Sequence, residues 1–471
     1  MDFHTSNSFT KCSTCLTLRL GLHQNRFSPD CVVSAKQFLK QHLENIKLEK
    51  QDYYVRMQHS RTSNDLLSIA HDQMSKEKTK FPHLLEDRSK KITDTMKIMN
   101  SLCLGVVHKI PQNSLGRDQL HAYWNIDQMS GGTSNTIISQ LFNIISNTNP
   151  IPPEISIQLD NCAANKNYNT LASFGLLLLW VPNIKKIYIC MPEVGHTHDD
   201  VDRHFGILAS KLRKKQIYSP FGYHRFFDET FPNVVTNNLL PTTYDFLSIT
   251  DSIVNKFKEV NSNHLFELSR NADGEVIVRI GRYVRSESFL SHGRTHDSHF
   301  MLFKDKPDLA KLPPIIPRNE LNKKGFDDLC NEMKTLMPSS DFLELQNLPD
   351  FITATETSED FQQLLDRISS QMVTENSTIQ RPEFTNIGVE DFLKNPKIWR
   401  TWQPPTEAEI EDFASELQEL ALDAQDAEQI SENLPTRPKQ VRKKKGLQNS
   451  ANVQSGTEPP QKRPRGRPKK T

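Results

Sequence analysis

Ile155-Ser156-Ile157-Gln158-Leu159-Asp160 is the stretch on which the fold reading turns. Its apolar residues alternate with a period of two, as in a β-strand, and it ends in an aspartate. Upstream, Ile137, Ile138, Leu141, Phe142, Ile144 and Ile145 recur at helical spacing behind the turn and cap signal Gly131-Gly132-Thr133-Ser134, and Pro150, Pro152 and Pro153 close that helix. Downstream come an apolar helix over residues 167–180 closed by Pro182, a strand from Ile184 to Met191, and an amphipathic helix over 199–213 with Val201, Phe205, Leu208 and Leu212 on one stripe.

Further toward the N-terminus, Leu66-Leu67-Ser68-Ile69-Ala70 is a short apolar run that leads into His71-Asp72. Residues 92–110, with Cys103-Leu104-Gly105-Val106-Val107, and residues 119–126 read as a strand and its hairpin partner. The order is strand, strand, strand, helix, strand, helix, strand, helix. Three strands before the first helix predict an antiparallel start, and the alternation after it predicts parallel pairing. This is the element order of an RNase H-like fold. The expected class is therefore α/β, with a mixed five-stranded sheet flanked by helices.

The rest of the chain divides by composition. Residues 1–60 hold a cysteine pair and a charged helix from Ala35 to Ser60; 61–216 are the α/β domain. Residues 217–310 predict a small β-containing appendage, with Leu265-Phe266-Glu267-Leu268 and Val276-Ile277-Val278-Arg279-Ile280 about an Asn271-Ala272-Asp273-Gly274 turn. Residues 311–433 predict short helices and an acidic helix, and 434–471 a disordered basic tail. The 471-residue chain is 36% hydrophobic with a formal net charge of +1, so overall charge selects no partner. Seven cysteines in such a length make no disulfide framework. The longest apolar run, Phe174 to Val181, is too short to span a membrane, and the start Met1-Asp2-Phe3-His4 is no signal peptide. A nuclear or cytosolic location is expected, and the basic tail favours the nucleus.

Asp72 and Asp160 end strands that this fold makes neighbours, so both carboxylates are expected at one sheet edge. A third acid should come from the last helix. Asp202 sits at the edge of the apolar stripe, one step round from Val201; Asp200 is the reserve, and Asp199 faces solvent, where it suits the helix N-terminus. Hard Mg²⁺ or Mn²⁺ ions prefer such oxygen donors. Two of them, about 3.5–4 Å apart, can drive phosphodiester cleavage. His198, just before the helix, is a candidate for proton transfer or substrate contact, and Lys166 for holding a phosphate. Aspartates at strand ends and helix starts also serve as plain caps, and Asn161, Asn165 and Lys166 could simply begin the next helix.

Three stretches resemble an uncharacterised RNase H-like domain family of eukaryotic transposon-derived proteins. They are Ile69-Ala70-His71-Asp72-Gln73-Met74-Ser75 with its continuation to Pro82-His83-Leu84, Gln158-Leu159-Asp160-Asn161-Cys162-Ala163-Ala164-Asn165-Lys166-Asn167, and Val194-Gly195-His196-Thr197-His198-Asp199-Asp200-Val201-Asp202. Here Gln73 stands where the family usually has glycine, Ser75 where it has an acidic or polar residue, and Asp199 where it has glutamate; none of these is a proposed ligand. The resemblance implies a transposase-derived, metal-dependent DNA-processing domain, in a truncated or domesticated copy. Gly-His-x-His also ends the motif set of calcineurin-like phosphoesterases, but the upstream motifs of that set do not occur in order.

The resembling family also carries a Cys-x-x-Cys pair upstream of a helix, as at Cys12 and Cys15. Their spacing suits structural zinc, with Cys31, His23 and His42 available to complete a site, or the pair is a remnant that binds nothing. At the other end, Pro464-Arg465-Gly466-Arg467-Pro468 matches an AT-hook. Its glycine lets the backbone lie deep in an A·T-rich minor groove, whose negative potential attracts the arginines. Arg437, Lys439 and Arg442 to Lys445 form a second basic cluster, with the spacing of a nuclear localisation signal or phosphate patch. Two functions follow as expectations: metal-dependent cleavage or strand transfer on DNA, or a domesticated, non-catalytic chromatin protein that binds DNA through the AT-hook.

Overall fold

The computed structural model describes residues 12–24, 28–85, 92–109, 118–129, 132–193, 200–284, 299–354 and 360–373. The chain divides into two units, Met1–Glu411 and Asp412–Thr471, and every described residue lies in the first. The elements run α1 (Ser13–His23), α2 (Pro29–Thr62), β1 (Leu66–Gln73), β2 (Asn100–Val107), β3 (Gln119–Ile126), α3 (Ser134–Ser146), β4 (Glu154–Leu159), α4 (Tyr168–Trp180), β5 (Lys186–Cys190), α5 (Asp200–Leu212), α6 (Pro220–Thr230), β6 (Val234–Leu239), α7 (Leu247–Thr250), β7 (Leu265–Arg270), β8 (Val276–Gly281) and β9 (His299–Met301). Four helices follow: α8 (Lys323–Met333), α9 (Ser339–Gln346), α10 (Leu348–Ala354) and α11 (Phe361–Ser370).

Among the described residues nine strands join one mixed sheet, in the order β6-β3-β2-β1-β4-β5-β7-β8-β9. β1 pairs antiparallel with β2 and parallel with β4; β2 and β3 are antiparallel, and β4 and β5 parallel. The expected five strands are therefore the middle of a nine-stranded sheet. The expected appendage is not separate either. β7 hydrogen-bonds to β5 with Cys190 opposite Leu265, and β8 and β9 continue outward, while β6 adds to the β3 edge. The backbone groups on the outer sides of β3 and β5 need partners, and these additions supply them.

Both faces of the central strands are covered, which is why β1, β2 and β4 are almost wholly buried. Alternation sorts their side chains into two cores. Leu67, Ile69, Ile155, Ile157 and Leu159 pack under α3, α4 and α11, with Phe142, Phe174, Phe246 and Phe361 clustered among them. Ala70, Leu102, Leu104, Val106 and Trp124 face the opposite way, against Tyr53, Tyr54 and Met57 of α2, Val201, Phe205, Leu208 and Leu212 of α5, and Tyr223 and Phe227 of α6. Trp124 packs at a tilt against Tyr223 and edge-on against Phe227, and donates its indole N–H to Asn237 Oδ1 at 2.9 Å. Among the described residues no helix is long and apolar enough to cross a membrane.

Candidate functional site

The register of β1 and β4 fixes the first part of the site. His71 lies opposite Leu159 in the last pair of the ladder, and Asp72 and Asp160 each follow that pair by one residue, at the same end of the sheet. Adjacent strands lie about 4.8 Å apart. Asp72 follows Ala70 on the face that α2 and α5 cover, since Ile69 and His71 point the other way, His71 to Gln140 of α3 at 3.0 Å. Both aspartates are half-buried. Each turns Oδ1 back onto the next backbone amide: Gln73 N–H donates to Asp72 at 2.7 Å and Asn161 N–H to Asp160 at 2.8 Å.

The segment after Asp160 is polar for a structural reason and forms a rim around it. Asn165 donates to the Asp160 carbonyl at 2.9 Å, and Asn167 caps α4 by accepting from Thr170 N–H at 2.9 Å. Between them Lys166 is half-buried, and burial, reinforced by Arg282, lowers its ammonium pKa to about 8 against the opposing pull of Glu193. Asn161 lies 3.2 Å from His264 Nδ1, and His264 Nε2 lies 3.5 Å from Glu193. Asp160 and Lys166 thus share one end of the sheet.

The start of α5 is placed differently. Asp200 Oδ2 lies 3.4 Å from His108 Nε2, His108 Nδ1 lies 3.0 Å from Ser68 Oγ, and Tyr53 OH approaches His108 at 3.3 Å. Burial acts to raise the Asp200 pKa, but the hydrogen bond and charge of His108, with Arg61 and His204, outweigh it and lower it. Arg61 holds Asp118 by two hydrogen bonds, the Nε one 2.9 Å long. This node lies level with Ser68, because His108 N–H donates to the Ser68 carbonyl at 2.9 Å. Asp72 is four residues further along β1, roughly 13 Å at ~3.3 Å per residue. Asp200, the reserve ligand, is thus a structural anchor at the far end of the strand. Ser68, His108 and Asp200 are linked in series like a hydrolytic triad, but Ser68 is 2% and His108 0% exposed, which denies them a substrate. Asp202, half-buried in the same first turn, is not brought into a common donor cluster with Asp72 and Asp160.

Among the described residues two sets of three ligand-type side chains hold their donor atoms within 4.8 Å of one another: His108, Asp118 and Asp200; and Cys12, Cys15 and His42. The first is neutralised by Arg61 from within. No local signal could have found it, since its three members come from three separate segments. The second picks His42 from the three residues available to the cysteine pair; Cys31 is exposed and apart from it. Burial and the neighbouring Cys12 push the Cys15 thiol up to about 11. His198, Asp199 and the AT-hook residues Arg465, Gly466, Arg467 and Pro468 lie outside the described residues.

No curated protein and no solved structure matches the chain. One family model does, over about two-fifths of the length, from just before β2 to just after β8. It is the model of DUF7869, a domain of unknown function, and it matches residues 93–286, a stretch that takes in Asp160, Lys166 and Asp202 and leaves β1 with Asp72 outside.

Proposed function

We propose that this chain is a transposase-derived, nuclear DNA-processing protein with an RNase H-like core, cleaving or joining phosphodiester bonds at Asp72 and Asp160. The observation that supports the reading is the parallel pairing of β1 and β4 within the order β3-β2-β1-β4-β5, whose last pair, His71 and Leu159, is followed on both sides by an aspartate. Two such oxygen donors, half-buried on rigid strands, fit hard divalent cations. When bound, a pair of Mg²⁺ or Mn²⁺ ions activates the attacking oxygen and stabilises the leaving one. The residues do the rest: Asp72 and Asp160 fix the position of the centre, Lys166 holds a substrate phosphate beside it, and His198 moves a proton. Asp202 of α5 is the acidic candidate for a third ligand, but Asp200 anchors that turn level with Ser68, so the reading rests on Asp72 and Asp160.

The test is a Mg²⁺- and Mn²⁺-dependent cleavage assay on duplex DNA with the full chain and Asp160→Asn. Loss of a supporting partner of a metal ligand typically lowers activity roughly 10–100-fold, so loss of a direct ligand is expected to lower it by more. Equal activity in the two proteins, or none in either, refutes catalysis.

A second reading is favoured by the position of Asp200, which ties the start of α5 level with Ser68 rather than Asp72. In that reading the core is a scaffold, and the protein is a chromatin factor that binds A·T-rich minor grooves through Arg465, Gly466, Arg467 and Pro468. Deleting residues 462–471 should then weaken binding to A·T-rich duplex and flatten its salt dependence. Unchanged binding removes the tail from the account.

A further inference from the structure

We propose that Cys12, Cys15 and His42 form a zinc site that clips α1 onto α2, independently of the Asp72 and Asp160 centre. The geometry begins with the start of α1. Cys12 is its N-cap and Cys15 lies in its first turn, so the Cys-x-x-Cys spacing brings both sulfurs to one point beneath the helix. From α2, His42 reaches the same point, with Nε2 3.3 Å from Cys12 Sγ. Around tetrahedral zinc, with Zn–S of about 2.3 Å and Zn–N of about 2.0–2.1 Å, a sulfur and a nitrogen stand roughly 3.6 Å apart. An outward adjustment of a few tenths of an ångström therefore seats the ion.

The donor set decides which metal. Two thiolates and an imidazole are soft to intermediate ligands, which select zinc over the hard cations suited to aspartates. A water takes the fourth position of the tetrahedron. Binding replaces the two S–H bonds by S–Zn bonds and releases both protons to solvent.

The packing gives the site a purpose. α1 has only 11 residues, below the length at which an isolated helix holds in water. Its contact with α2 is a small cluster: Cys12, Cys15 and Leu39 with Leu18, Leu22 and Leu43 around them. Leu16 and Leu20 remain 43% and 42% exposed, so apolar burial fastens the helix weakly. A structural metal supplies what so thin a core lacks.

The experiment is metal analysis of the purified full chain, by elemental content and by zinc released into a chromophoric chelator when thiols are modified. The wild type is expected to carry one zinc per chain. The Cys12→Ser/Cys15→Ser variant should lose it, His42→Ala should hold it more weakly, and Cys31→Ser should keep it. Cobalt substitution of the wild type needs no variant to fold: the reconstituted protein should show thiolate-to-cobalt charge transfer and the intense visible bands of a tetrahedral ion. A wild type that binds neither zinc nor cobalt, or a double variant that retains the wild-type zinc, overturns the proposal. So does a Cys12–Cys15 disulfide recovered under conditions that preserve zinc.

Discussion

Phe142→Ala is expected to lower stability by about 3–5 kcal/mol, the range for removing a buried phenylalanine from a packed core. Phe142 is fully buried on α3, where its ring centroid lies 5.5 Å from Phe174, 5.0 Å from Phe246 and 5.8 Å from Phe361. These rings come from α3, α4, the entry to α7 and α11, so Phe142 joins segments that are otherwise far apart in sequence. Truncation leaves a cavity whose walls are held by the sheet on one side and by helices on the other, which limits collapse. Total stabilities are roughly 5–15 kcal/mol, so the loss is a large fraction of the whole. Urea unfolding followed by circular dichroism measures it. A loss below about 1 kcal/mol, the scale of a surface substitution, would remove Phe142 from the core.

Acidification is expected to be the second large effect, acting through His121. The ring is fully buried on β3, with Nδ1 3.1 Å from Thr236 Oγ1 and Nε2 without a partner. Burial lowers its pKa from 6.5 to about 3. The sign follows from which state takes the proton. Above pH 6.5 the ring is neutral in both states, and its stability contribution is complete. As pH falls, the unfolded chain binds a proton that the native chain refuses, so the contribution is lost between 6.5 and about 3. The rate is about 1.4 kcal/mol per pH unit, on the order of 5 kcal/mol over the window. His71, also buried, is lowered to about 4 and acts in the same direction. Comparing wild type with His121→Gln isolates the group: the variant's stability should fall less steeply between pH 6 and 4. Parallel curves would show that His121 charges freely in the native protein.

The middle of the fold was legible because its residues repeat. Ile155, Ile157 and Leu159 announce a strand and Val201, Phe205, Leu208 and Leu212 a helix, and both lie where the period put them. The strand signals at 265–268 and 276–280 were also right, but which edge they join depends on pairing Leu265 with Cys190, 75 residues apart in sequence. β6 escaped notice because Thr236, Asn237 and Asn238 break its apolar pattern; as the outermost strand it is only half-buried and has little need of one. The site divides the same way. Asp72 and Asp160 follow from strand order, and Cys12 and Cys15 from spacing. Choosing His42 over His23 and Cys31 required the pairing of two helices. The role of Asp200 required His108, Arg61 and Asp118, which no helical-face argument could place beside it.

β1 lies in the middle of the sheet, with β2 on one side and β4 on the other, yet the DUF7869 match begins only at residue 93. A fragment cut to residues 93–286 would therefore be two half-sheets with a strand-wide gap between them, each presenting a new row of unpaired amides and carbonyls. Such a fragment is a template for strand exchange or aggregation. The stretch matched by the family model is thus smaller than the sheet it belongs to, and a fragment meant to keep that sheet whole has to carry Leu66–Gln73.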